Sequence, residues 1–236
     1  IRVFCLSRGL GDVYKGQDIC SLKPNVKRLT LTALIYFDRD GKVVNSEFFN
    51  SIIKSCTRFT YTEVANLLEK GDAEKKYTAV IDTLKNMYRL SKILRKNRFI
   101  SGSVDFQVPE PEIYINSEGK VEKIIKAQHN VAHELIEEFM LLANRSVAAY
   151  IGKKAKPKTF IYRIHDKPSP EKFDQFANFV TKFGHFIKPK NGSNDESQIA
   201  QSISTLLEDA KGKKESNLLE TLAIRTMAKA EYSTVN

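Results

Sequence analysis

Cysteine is scarce in this chain, with three residues, Cys5, Cys20 and Cys56, among 236. Their wide spacing makes neither a disulfide framework nor a metal knuckle, and the expected setting is a reducing cytoplasm. Long apolar runs are missing too. No stretch approaches the roughly 18 apolar residues of a membrane span. The first residues show neither the charged start nor the long apolar centre of a signal peptide, so no membrane partner is expected. A Gly-Lys-Ser/Thr triplet is absent, which excludes a P-loop. Gly9 and Gly11 open a G-x-G-x-x-G pattern, but Tyr14 fills its third position and no helical repeat follows before Pro24. A dinucleotide loop is therefore set aside.

Positive charge is what the chain has in excess. Lys and Arg number 38 against 28 Asp and Glu, a formal net charge of +10. Such a surplus favours a polyanionic partner through counterion release and long-range steering. The 42% hydrophobic and 28% charged shares are those of a soluble globular protein with a sizeable core.

Patterning gives an α+β chain in which antiparallel hairpins precede a run of helices. Residues 28–58 read as a hairpin around the turn Asp38-Arg39-Asp40-Gly41. Helices are predicted from Tyr61 to Lys70 and again from Asp72, with a clear amphipathic stretch over 77–94 and a cationic end at Lys92, Arg95, Lys96 and Arg98. A second hairpin is expected from SVDFQV and EIYI through the turn at 116–120 to VEKIIK. The longest helix should span 130–151, ended by Gly152. A short strand at 161–164 and helices near 170–182, 196–209 and 216–230 complete the reading. No linker requires two domains.

Three groups of residues invite chemical readings. His129, His133 and Glu137 fall on one helical face at i, i+4 and i+8. The order HExxH is broken, however, because Glu137 stands where the second imidazole of a zinc site belongs. His165-Asp166 could be a base with an acidic neighbour, but no nucleophile stands in a recognisable elbow near it. Cys56 reads as a buried small apolar residue. The stretch SCTRFTYTEV (55–64) interleaves aromatic and basic residues as single-strand binders do, although Phe59 and Tyr61 could equally be core residues at a strand end.

Four segments together resemble one family. ICSLKPNVKRLTLT, IIKSCTRFTYTEV, AHELIEEFMLLAN and YRIHDKPSPEK are similar, in order and spacing, to motifs of the catalytic RNB domain of the exoribonucleases RNase R and RNase II. The YRIHDKPSPEK wording leans towards RNase R. The resemblance implies an incomplete RNB-type catalytic domain over residues 18–236, its hairpins packed against several helices. It also implies a processive hydrolytic 3′→5′ exoribonuclease that degrades single-stranded RNA to nucleoside monophosphates with two magnesium ions, acting as a monomer. By the same resemblance Tyr61 stacks on the 3′-terminal base, Glu137 lines the active-site end of the RNA channel, and Phe106 packs on terminal nucleotides.

The family's metal-binding aspartate cluster and its catalytic arginine segment have no counterpart here. The chain is therefore expected to be a middle slice that does not hydrolyse RNA alone, with no metal ligands of its own. Residues 1–17 resemble none of the family's motifs. SRGLGDVYKGQ instead resembles the one-frame translation of a transposon-end sequencing adaptor, with Gly16 where that translation reads arginine, and 1–17 is read as non-native. Without it the net charge falls from +10 to +8. Two other readings compete: a non-catalytic RNA-binding protein of the same fold, and a zinc hydrolase built on His129, His133 and Glu137.

Overall fold

The computed structural model describes residues 21–70, 77–104, 106, 111–127, 129–153, 159–165, 169–187 and 196–235. The segment read as adaptor, Cys5 and Cys20, and the expected helical residues at 72–76 lie outside them. The chain divides into two compact units, Ile1–Arg95 with His129–Lys158, and Lys96–Gln128 with Thr159–Asn236. Among the described residues no helix is long and apolar enough to cross a membrane.

The first unit begins with the expected hairpin, strands β1 (Lys27–Phe37) and β2 (Val43–Lys54). They pair antiparallel from Lys27↔Lys54 to Phe37↔Val43. The turn forms because the Asp38 carboxylate accepts backbone N–H groups from Asp40 at 3.0 Å and Lys42 at 2.8 Å. Gly41 supplies the positive φ of 78°.

One face of the hairpin carries Leu29, Leu31, Ala33, Ile35 and Phe37, since side chains alternate along a strand. Helices cover only part of it. Ala33, Ile35 and Phe37 share a cavity of about 270 Å³ with Met87, Leu90 and Phe139, and the ring of Phe48 meets that of Tyr150 at 4.7 Å. Leu29 remains 83% exposed, Leu31 64% and the cross-strand Ile52 66%. On the other face, Thr30 and Thr32 are buried and their hydroxyls meet that of Ser51 at 2.8 and 2.5 Å. An apolar stripe open to water favours association. The isolated chain is expected to self-associate, and Leu29→Lys with Leu31→Glu to return it to a monomer in light scattering. Unchanged association in that variant would place the contact elsewhere.

Helices α1 (Tyr61–Glu69), α2 (Thr78–Ile100) and α3 (Val131–Gly152) complete this unit, with the unit border falling inside α2. Their core joins Val64 and Leu67 of α1, Tyr77, Leu84 of α2 and Ala132 of α3. Arg95, expected as part of a cationic helix end, instead faces α3. Its guanidinium lies 3.7 Å from Glu134 and 3.9 Å from Glu138, a carboxylate only 3% exposed. Cys56 departs from its expected burial: it is a free thiol in a bend just past β2 and is exposed.

The second unit has its own core. Phe173, Phe176 and Val180 of α4 (Pro170–Val180) meet Ile199, Ile203 and Leu206 of α5 (Glu196–Ala210) and Leu219 and Ala223 of α6 (Ser216–Thr226). Ser169 caps α4, with Pro170 in the first turn where a missing N–H costs nothing. A hairpin of β3 (Pro111–Ile115) and β4 (Val121–Lys126) turns on Asn116, which accepts from the N–H of Glu118 and Lys120 at 3.0 and 2.9 Å.

SVDFQV does not join that hairpin as a strand where it is described. The N–H of Ser103 bonds back to the Arg98 carbonyl, and Val104 and Phe106 pack against the unit's core. The last predicted helix also stops early. The chain becomes extended at Met227, and β6 (Ala230–Ser233) pairs with β5 (Tyr162–His165). Pairing with a distant strand overrides the helical propensity of the Ala- and Lys-rich text.

Candidate nucleic-acid interface

Residues 57–60 are neither strand nor helix, and Tyr61 is the first residue of α1. Thr60 caps that helix. Its hydroxyl accepts the N–H of Glu63 at 3.3 Å, and the Glu63 carboxylate accepts the N–H of Thr60 at 2.7 Å. Tyr77 donates its hydroxyl to the same carboxylate at 3.0 Å. The Thr-x-x-Glu pattern of this capping box stands in the sequence at 60–63. It fixes where the aromatic residues point. Phe59 turns inward, its ring 4.8 Å from that of Tyr77, while Tyr61 remains 47% exposed.

The N-terminus of α3 is built the same way. Asn130 accepts backbone N–H bonds from Ala132 and His133 at 3.0 and 3.3 Å. The Nδ1 atom of His133 lies 3.3 Å from the Asn130 N–H and 2.9 Å from its Oδ1. Nδ1 can accept the Asn130 N–H or donate to Oδ1 according to the tautomer, and either contact ties the ring to the cap. Partial burial, and secondarily the neighbouring His129, lower the pKa of His133, which favours the neutral imidazole at neutral pH.

The two capped termini meet. The rings of Tyr61 and His133 stack at 3.9 Å between centroids and 16° between planes. His129 is tilted against His133 at 5.3 Å. Glu137 follows one turn along α3 and is half-buried. Tyr61 and Glu137 therefore sit in the same unit, on the two helices whose first turns touch. Phe106 belongs to the second unit, where it is partly buried against Phe173 and its neighbours.

The zinc reading finds no support in this geometry. With Nδ1 of His133 tied to the cap and one ring face against Tyr61, only Nε2 is left to ligate. Among the described residues no three His, Cys, Asp or Glu side chains are placed to hold a metal ion. The backbone of His165 ends β5 opposite Ala230, and Asp166 falls outside the described residues.

Comparison with known proteins covers nearly the whole chain. The RNB domain family matches residues 15–236, starting within the segment read as adaptor. Ribonuclease R of Aquifex aeolicus is 32% identical over 219 residues, 92% of this chain and 30% of that protein. Mycoplasma genitalium RNase R, solved in complex with ribose-methylated single-stranded RNA, superposes with a TM-score of 0.84 at 27% identity, over 94% of this chain and 34% of its own. Yeast Ssd1, described as a pseudonuclease, shares the fold with a TM-score of 0.63 at 16% identity, over 90% of this chain and 24% of its own. The chain thus spans about a quarter to a third of the length of these proteins.

Proposed function

The chain belongs to the RNB domain family, and on that footing we propose that its parent protein is an RNase R-like 3′→5′ exoribonuclease. The substrate proposed is single-stranded RNA, degraded processively to nucleoside monophosphates by a monomeric cytoplasmic enzyme. The match across residues 15–236, with ribonuclease R as relative, carries this reading. The net charge of +10 supports it, since neutralising phosphates drives binding to RNA of any sequence. Tyr61 is the residue proposed to stack on a terminal base, with Glu137 beside it on α3. Phe106 is proposed as a secondary contact.

Two magnesium ions would supply an activated water and a clamp on the scissile phosphodiester. The acidic side chains described in this chain do not gather into a site for them, so their ligands are proposed to lie in the rest of the parent. The chain alone is accordingly proposed to be inactive.

A second reading has one observation in its favour, the fold shared with a pseudonuclease: a protein that binds RNA without cutting it. Incubating the complete protein with 5′-labelled single-stranded RNA and magnesium separates the two. A ladder shortening from the 3′ end, with none from the chain alone, is the expected result. Salt-sensitive binding without shortening would replace the enzyme by the binder. A ladder from the purified chain would overturn the proposed inactivity.

A further inference from the structure

We propose that His133 is a positioning residue for Tyr61: its imidazole is the platform that fixes the plane on which a terminal base stacks. This rests on the proposed role of Tyr61 and adds a second residue to it.

A stacking side chain binds well only if its ring is already held in the plane the base will take, because ordering it during binding costs affinity. A tyrosine at the exposed start of a helix has no such restraint from its own helix. Here the restraint comes from another. His133 lies against Tyr61 at 3.9 Å and 16°, and its own ring is tethered through Nδ1 to Asn130. Tyr61 in turn is anchored by the Thr60–Glu63 box, with Tyr77 holding Glu63 from behind. The phenol is thus fixed between a rigid backbone and a rigid imidazole, while the residue stays 47% exposed. Neither cap needs an aromatic group at position 133. Glutamine or glutamate is the usual partner in a capping box, so the imidazole supplies something beyond the cap, namely a flat face.

That separation of roles can be tested in the complete protein with two opposed substitutions. His133→Gln keeps a capping side chain and loses the ring. His133→Phe keeps a ring and loses the capping acceptor. With a 5′-labelled single-stranded RNA, His133→Gln is expected to raise KM about fivefold and to lengthen the final product in the direction of Tyr61→Ala. His133→Phe is expected to melt lower than His133→Gln, yet to restore the wild-type product length. A purely structural role gives the reverse order, with product length following melting temperature, and would overturn the inference. Tyr61→Ala run alongside separates the two ideas. If Tyr61→Ala changes the product and His133→Gln does not, the positioning role alone falls. If Tyr61→Ala itself leaves the product unchanged, the stacking role falls and takes the positioning role with it.

Discussion

Replacing Arg95 with methionine is expected to destabilise the first unit by about 3 kcal/mol, a large effect for one charged side chain. Exposed ion pairs are worth little, because water already satisfies both ends. This one differs in where its acid lies. Glu138 is 3% exposed and Arg95 20%, and the guanidinium also approaches Glu134. Methionine keeps much of the apolar stem and removes the charge, leaving the buried carboxylate without that cation. The separations of 3.7 and 3.9 Å and further interactions of Glu138 keep the expected loss at the lower end of the 3–5 kcal/mol typical of a broken buried pair. Hydrogen exchange in peptides from α1 and α3 reports on this unit separately from the other. Faster exchange in both is expected. Arg95→Met with Glu138→Leu should recover most of the protection, since the buried charge is removed together with its partner. Loss below about 1 kcal/mol in the single variant would reduce the pair to a surface contact.

The sequence was most legible where local chemistry decides the outcome. Asp38 with Gly41 and Asn116 with Gly119 mark two turns, and both hairpins form around them. Asn130 and Gly152 bound the helix Val131–Gly152, although at 22 residues it is not the longest as expected, Thr78–Ile100 having 23. Contacts distant in sequence left no such marks. Period-two alternation puts Leu29, Leu31 and Ala33 on one face but is silent on how much of that face a helix will cover. The strand at Ala230–Ser233 exists because β5 is there to pair with it. Nothing local separates Glu137 from Glu138, although one is half-buried and the other nearly inaccessible. The position of Arg95 on the facing helix, distant in sequence, contributes to the tolerated burial of Glu138.

The candidate site divides along the same line. Resemblance implies separate roles for Tyr61 and Glu137, and the His129–His133 spacing alone suggests a metal helix. The fold gives His133 a different task. Two capping boxes, Thr60–Glu63 and Asn130–His133, start two helices at one place, and the rings of Tyr61 and His133 stack there. A histidine serving as a capping residue has one nitrogen tied to the cap and one flat face to offer. Its cap does not bar zinc, but no three donors are placed for a metal among the described residues, whereas the flat face is in use against Tyr61.

Tyr61→Ala in the complete protein is the substitution with the largest expected effect on activity. Base–aromatic stacking contributes about 1–3 kcal/mol per base by alanine substitution, and each 1.4 kcal/mol is tenfold in binding. KM for a short single-stranded RNA should therefore rise about five- to hundredfold. The effect on kcat should be smaller, because stacking on a terminal base holds ground state and transition state alike. A weaker grip on the end also means earlier release, so the final product should be longer than that of the wild type. Tyr61→Phe keeps the ring on which stacking depends and should stay within about twofold of wild-type KM. The contrast between alanine and phenylalanine is the diagnostic part. A stacking role requires that any flat ring suffice, whereas equal damage from both substitutions would move the function of Tyr61 from its ring to its hydroxyl. Products of unchanged length from Tyr61→Ala would remove it from the RNA-contacting surface altogether and leave the exposed ring on α1 as a cap neighbour with no part in binding.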